Sequence, residues 1–294
     1  MYLKIPNVWR EGTLSDQVIK IRKSVIQHGS LNDRVYLMKL SPEDYEELPS
    51  QVEGLAEENG YSKIFSKIPS SARNYFQSSG HVEEAHVPGM YNGNDAASFM
   101  AKFLSNERSR EKVPDEVEAV LSNALSKLGR PKEVELSDDE ECSICVEEDV
   151  EEMAGIYGKV FPSYPFPIQD PLYLLRTMHE DLIYFGIRKD GKLVAIASCE
   201  MDVQNRNVEM TDFATLPEFR GKGYSHYLLS KMEEKMREMD IITAYTIARA
   251  RSYGMNTVFS RNSYVYAGTL VNNTNISGGI ESMNVWYKRL DQIR

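Results

Sequence analysis

The stretch EMTDFATLPEFRGKGYSHYLLSKMEEKMREM, residues 209 to 239, decides the fold. Residues 208 to 215 read as a strand closed by Pro217. Downstream, Tyr224, Leu228, Met232, Met236 and Met239 recur at helical spacing with charges between them, so the helix buries one face. Between strand and helix lies a basic turn with two glycines. Gly221 and Gly223 let the backbone come close to a ligand, and the unpaired N–H groups and positive dipole end of the helix would face an anion. The spacing narrows the choice of anion. There is no Gly-Lys-Ser/Thr ending as in a nucleotide-hydrolysing loop, and no second glycine three residues on as in a dinucleotide fold. What remains is Arg220-x-x-Gly223-x-Ser225. Alone this is a weak signal, because basic glycine turns at helix starts are common and mostly solvated.

Context strengthens it. After the helix come an apolar run at 241 to 248, a short helical segment at 252 to 261, and strand-like runs at 264 to 271 and 282 to 288. Turn and element order together resemble the core of the GNAT superfamily of N-acetyltransferases, whose acetyl-CoA pyrophosphate motif is usually Gln/Arg-x-x-Gly-x-Gly/Ala; Ser225 is a small-residue departure. The resemblance implies an α/β chain with a GNAT acyltransferase fold, a mixed and mostly antiparallel central sheet with flanking helices, in the carboxy-terminal half. It implies acetyl-CoA as co-substrate, held by Phe213, Thr215, Arg220, Gly221, Lys222, Gly223, Tyr224 and Ser225. Backbone N–H groups near Phe213 to Thr215, where the family splays two parallel strands, would polarise the thioester carbonyl.

A chain of 294 residues, 41% hydrophobic and 27% charged, is long enough for two domains. Its net charge of -10 argues against nucleic acid and anionic membranes and suits small cationic substrates. No apolar run approaches the roughly 20 residues of a membrane span, and the start lacks a signal-peptide apolar region, so cytoplasmic residence is the expectation. Cys142 and Cys145 form a Cys-x-x-Cys, but a structural zinc site needs four ligands and no second pair exists. No metal is expected.

Residues 133 to 152 are the most acidic part of the chain and mark a boundary. The expected organisation is an amino-terminal α/β domain at 1 to 132, an acidic solvated connector at 133 to 142, and the GNAT domain at 143 to 294. In the first half, 34 to 40 reads as a strand, 42 to 58 as a helix, 61 to 68 as a strand and 72 to 77 as a short helix, with two further strands completing the layer. An internal echo runs between Phe76 to His81 with its following strands and Phe259 to Tyr264 with its own. If the echo is a repeat, the first half is a degenerate GNAT-like unit without the Arg-x-x-Gly turn; chance similarity between two helix-strand-strand units is the alternative.

Acetyl transfer to an amine needs a neutral nucleophile, and an ammonium with a pKa near about 10.4 must lose a proton to a carboxylate. Glu209 and Asp212 are the candidates, and a regular strand sends them to opposite faces unless a bulge breaks the register. In GNAT members with a glutamate base on this strand, it stands at the spacing of Glu209, so the resemblance favours Glu209. Many members also carry a tyrosine acid in the pattern Tyr-x-x-x-Gly-Phe. Here the positions hold Phe259, Ser263 and Tyr264, so that role is absent or moved to Tyr253, Tyr264 or Tyr266.

MTDFATLPEFRGKG and the run from Thr246 to Lys288 resemble one particular family, the β-lysine N6-acetyltransferases, and the likeness extends into the first half through YSKIFSKIP. It implies acetylation of the side-chain amine of β-lysine, giving the compatible solute Nε-acetyl-β-lysine. Another amine acceptor, or an acyl-CoA sensor without turnover, are the competing readings. A free amino acid needs a cation for its carboxylate and a polar or acidic group for its second amine. Arg251, closing the fifth strand, and Glu281, beside the loop joining the last two strands, are the expected substrate contacts. A homodimer is compatible with these features.

Overall fold

The computed structural model describes residues 3–4, 16–180 and 182–292. The first half contains β1 (Leu3–Lys4), β2 (Gln17–Ile21), β3 (Ser24–Gly29), β4 (Arg34–Lys39), α1 (Leu48–Asn59), β5 (Lys63–Pro69), α2 (Arg73–Ser78), β6 (Val82–Tyr91) and β7 (Asp95–Phe103). Helix α3 (Pro114–Leu125) crosses to β8 (Glu140–Ile144), α4 (Val150–Val160), α5 (Pro171–Met178), β9 (Leu182–Lys189), β10 (Lys192–Asp202) and β11 (Asn207–Thr215). The chain ends in α6 (Tyr224–Glu238), β12 (Thr243–Arg249), α7 (Tyr253–Arg261), β13 (Val265–Ile276) and β14 (Gly279–Arg289).

These strands form one 14-stranded sheet ordered β1-β2-β3-β4-β5-β7-β6-β13-β14-β12-β11-β10-β9-β8. The order reads the same from both ends. The run β2-β3-β4-α1-β5-α2-β6-β7 has the connectivity of β9-β10-β11-α6-β12-α7-β13-β14, and each contains one parallel pair, β4 with β5 and β11 with β12. The echo noted in the sequence is therefore the tail of a longer topological repeat. The two copies join where Ala85 of β6 pairs with Gly268 of β13. A Cβ on Gly268 would lie 2.1 Å from the Glu84 carbonyl oxygen and 2.7 Å from the Ala85 Cα, so only glycine lets the strands close this seam.

The cores follow the repeat. Ile26, Leu37, Leu48, Val52, Ile64 and Phe76 pack within the first half, while Val208, Met210, Leu228, Met232 and Phe259 pack beneath α6. A third cluster is shared, with Tyr36, Phe65 and Phe99 against Tyr245, Leu270 and Met283. The sheet thus curls until β4 and β5 face β11 and β12 across its concave side.

Two local expectations shift. The helix expected at 42 to 58 is a 3-10 turn at Pro42–Asp44 followed by α1, because Asp44 is buried as acceptor for the Lys23 N–H and the Ser24 hydroxyl. The acidic stretch is only partly solvated. Glu140 opens β8, accepts hydrogen bonds from Tyr224 and Lys222, and its carboxyl is pushed down to about 2, by the tyrosine first. We keep the division at 133 to 142 as a proposal about folding units, across which the sheet is continuous.

Candidate active site

The centre of the site is an irregularity in β11. Its register with β10 slips between Ile196↔Ala214 and Ser198↔Thr211, so β11 carries an extra residue, and Asp212 takes a φ of 56°. Asp tolerates this left-handed conformation better than most residues. The bulge turns the Asp212 side chain to the same cavity as Glu209, although the two stand three apart. It also coincides with a fork. β11 pairs with β12 only over Asn207–Glu209 and Thr243–Tyr245, and beyond that point the two parallel strands separate with their facing backbone edges open.

A cavity of about 810 Å³ occupies the fork and runs from Glu209 to the start of α6. Glu209 sits in register with Glu200 on one side and Tyr245 on the other. Burial first, then the Glu200 charge, push its carboxyl up to about 7, against the pull of Lys67 and a hydrogen bond with Tyr245. Lys67 donates to the Tyr245 hydroxyl at 2.8 Å, and Tyr245, Tyr36 and the two glutamates raise its own pKa despite burial. Asp212 is tied down by Ser198, which donates at 2.6 Å, and by the Tyr164 hydroxyl; burial raises its carboxyl and those bonds oppose the rise. Asp212 already accepts from Ser198 and Tyr164, whereas Glu209 has only the Tyr245 hydrogen bond and so keeps more free acceptor sites; Glu200 also lines the cavity.

At the other end, Gly221 and Gly223 have φ of 83° and 92°, and Gly223 caps α6. The ladder begins with His226 and Tyr227 donating to the Gly223 carbonyl, leaving the preceding N–H groups as the helix's orphan donors. Arg220, Gly221, Gly223, Tyr224 and Ser225 line the cavity, as do Phe213 and Thr215 on the forked strand. Lys222 points elsewhere, into an ion pair with Glu140 at 3.0 Å. Lys127 and Lys132, on the segment following α3, also line this end. Burial first, and then Lys132 and Arg261, push His226 down to about 4. The sequence reading missed both lysines, whose contribution depends on how α3 packs against α7.

The expected acceptor contacts lie differently. Arg251 is outside the cavity wall, 41% exposed and paired with Glu116 at 2.9 Å. Glu281 is buried and accepts from the Arg249 Nε and Nη2 at 2.9 and 2.8 Å. Of these two neighbours it is Arg249, two residues before Arg251, that stands in the wall. Phe259 packs edge-on against Phe213 and Tyr264, and of the three alternative tyrosines Tyr253 borders the cavity. Arg34, Tyr36, Met38 and Phe65 from the first half complete the wall. Among the described residues no group of His, Cys, Asp and Glu has the geometry of a metal site, and no helix is long and apolar enough to cross a membrane.

A forked parallel pair leading to an anion cradle defines an acyltransferase site, and known proteins agree. The acetyltransferase (GNAT) family model matches residues 150–254. The chain is 43% identical over 273 residues to the β-lysine N(6)-acetyltransferase of Methanococcus maripaludis, covering 93% of this chain and 98% of the relative. It is 30% identical to the enzyme of that name from Methanosarcina mazei, covering 84% and 98%, and 30% identical to N-acetyltransferase YodP of Bacillus subtilis, covering 91% and 96%. The chain belongs to the β-lysine N(6)-acetyltransferase family within the GNAT acetyltransferases.

Proposed function

We propose that this protein transfers the acetyl group of acetyl-CoA to the N6 amine of β-lysine, by direct attack with Glu209 as general base. The observation that carries the reading is the single cavity that joins the start of α6 to a carboxylate held near neutrality. The residues present fit acetyl-CoA. The glycine turn, the orphan N–H groups and the Arg220, Lys127 and Lys132 charges suit its phosphates, and the open edges of β11 and β12 suit an extended amide-bearing arm. When bound, it would supply an activated thioester acyl group.

Glu209 would take the proton from the acceptor's ammonium. A base near 7 narrows the gap to an amine near about 10.4 by roughly 2.5 units relative to an ordinary glutamate, about 3 kcal/mol of proton-transfer cost. Tyr245 and Lys67 orient Glu209 and keep enough charge beside it that the carboxylate remains accessible at neutral pH. Backbone N–H groups of β11 past the bulge would act on the developing oxyanion. Tyr253, the one of the three alternative tyrosines that borders the cavity, would protonate the leaving sulfur, or the role is absent, since a thiol with a pKa near about 8.5 also leaves as thiolate unaided.

The test is acetyl-CoA-dependent thiol release with β-lysine, α-lysine, spermidine and a lysine peptide in parallel. Strong preference for β-lysine is expected. Preference for another amine would discard the acceptor, and acetyl-CoA binding without thiol release from any of the four would make the protein a sensor.

A further inference from the structure

We propose that Arg34, from the amino-terminal repeat, is the carboxylate anchor of the acceptor site, binding the carboxyl group of a free amino acid whose distal amine reaches Glu209; this rests on the acetyl-transfer reading above.

The argument begins with the cations available. The cavity wall contains Arg34, Lys127, Lys132, Arg220 and Arg249. Lys132 and Arg220 flank the glycine turn, with the Lys132 Nζ 3.4 Å from where a Gly223 Cβ would stand, and Lys127 belongs to the same segment, so these three serve the phosphate end. Arg249 already has a carboxylate, since its Nε and Nη2 donate to the two oxygens of Glu281. Arg34 remains.

Arg34 is an unusual arginine. It is 3% exposed, yet among the described residues it makes no ion pair with a carboxylate. Its Nη1 donates to the Asn273 carbonyl and, at 3.1 Å, to the Thr274 hydroxyl, and its Nε has no partner. Neighbouring buried cations are treated differently: Lys63 is paired with Glu84 at 2.8 Å and Arg108 with Asp33 at 3.1 Å. A buried guanidinium hydrogen-bonded only to neutral acceptors is desolvated without a counter-ion in contact; burial is the first cause of its pKa being lowered to about 10, with Tyr36 and Asp16 opposing the fall from beyond contact. An entering carboxylate would supply that missing charge in the fork geometry that guanidinium favours.

Position supports the same role. The guanidinium carbon lies 5.1 Å from the centre of the Tyr36 ring and 5.6 Å from that of Phe65, within cation–π range of both. Tyr36 in turn feels the charges of Glu209 and Glu200. Arg34, Tyr36 and Glu209 line the same cavity. The extended chain of 3,6-diaminohexanoate places roughly 7 Å between its carboxyl carbon and its distal nitrogen. The repeat gives the arrangement its logic, because Arg34 opens β4 as Asn207 opens β11, and the curled sheet brings the two strands face to face.

The experiment compares β-lysine with β-lysine amide, which keeps both amines and loses only the carboxylate charge, at saturating acetyl-CoA. Wild-type enzyme is expected to prefer the acid by about 10²-fold or more in kcat/KM, chiefly through KM. Arg34→Gln should erase that preference by losing the acid and sparing the amide, with acetyl-CoA affinity unchanged, and Arg34→Lys should restore part of it. A wild-type enzyme indifferent to acid or amide overturns the proposal, and that measurement needs no variant to fold. Equal losses on both substrates in Arg34→Gln would also overturn it, marking the residue as structural. Turnover of β-lysine with Arg34→Gln unaffected would sink the anchor alone, whereas no turnover of β-lysine by wild-type enzyme would remove the functional reading and the anchor together.

Discussion

Removing the charge of Glu200 should lower the pH at which the enzyme switches on. Glu200 and Glu209 are directly opposed in the β10–β11 ladder, and Glu200 is the second cause, after burial, of the rise of Glu209 from 4.5 to about 7. Cross-strand partners about 5 Å apart at an effective dielectric of about 20 repel by about 3 kcal/mol, and because Glu200 is exposed, solvent screening cuts this to a fraction. Because burial is the larger cause, Glu200→Gln should bring the limb down by about one unit. Lys67→Met should move it the other way, since Lys67 favours the ionised form. The assay is kcat/KM for β-lysine between about pH 5.5 and 9, which reports the free enzyme's groups. Wild type should rise through an apparent pKa near 7. Glu209→Gln should lose roughly 10² or more in rate together with that limb. A limb that persists in Glu209→Gln, or that stays in place in both charge variants, would refute Glu209 as the base.

Further outcomes follow from the same geometry. Gly223→Val should raise the Kd for acetyl-CoA by about tenfold or more in titration calorimetry, since its Cβ would lie 2.7 Å from the Val134 Cγ2 at a φ of 92° and the branch would fill the cradle; unchanged affinity would remove the cradle assignment. Arg251→Ala should change kcat/KM by less than about twofold, because the side chain is a surface partner of Glu116, and a tenfold loss would return it to the acceptor site. Glu281→Gln should destabilise the fold by about 1–3 kcal/mol in urea unfolding, by leaving the part-buried Arg249 without its carboxylate; wild-type stability would show that the pair contributes nothing net.

What the sequence showed and what it hid divide along a physical line. The phosphate turn is local: two glycines, a basic flank and a 3.6-residue apolar stripe lie within one short stretch, so it could be read directly. The fate of Asp212 could not, because a bulge is a property of two strands in register rather than of one. Alternation alone sends Glu209 and Asp212 apart, and the bulge beside the Ser198–Thr211 pair, where Ser198 donates to Asp212, decides otherwise. Arg249 and Arg251 both stand at the end of an apolar run and look alike in sequence; only the fold separates them, with β12 ending at Arg249 in the cavity wall and Arg251 paired with Glu116 at the surface. Glu140 looked like one more solvated acid until β8 brought it under Tyr224. Arg34 carried no signal at all, since its role depends on a sheet that curls one repeat onto the other, although the echo around Phe76 and Phe259 had marked the repeat itself.

The most direct test of the account is the position of the acetyl group in the product formed from β-lysine and acetyl-CoA, read by NMR. An anchor for the carboxylate at Arg34 and a base at Glu209 in one cavity predict acetylation at the N6 nitrogen. Acetylation at the amine nearer the carboxylate would contradict the arrangement of base and acceptor in this cavity.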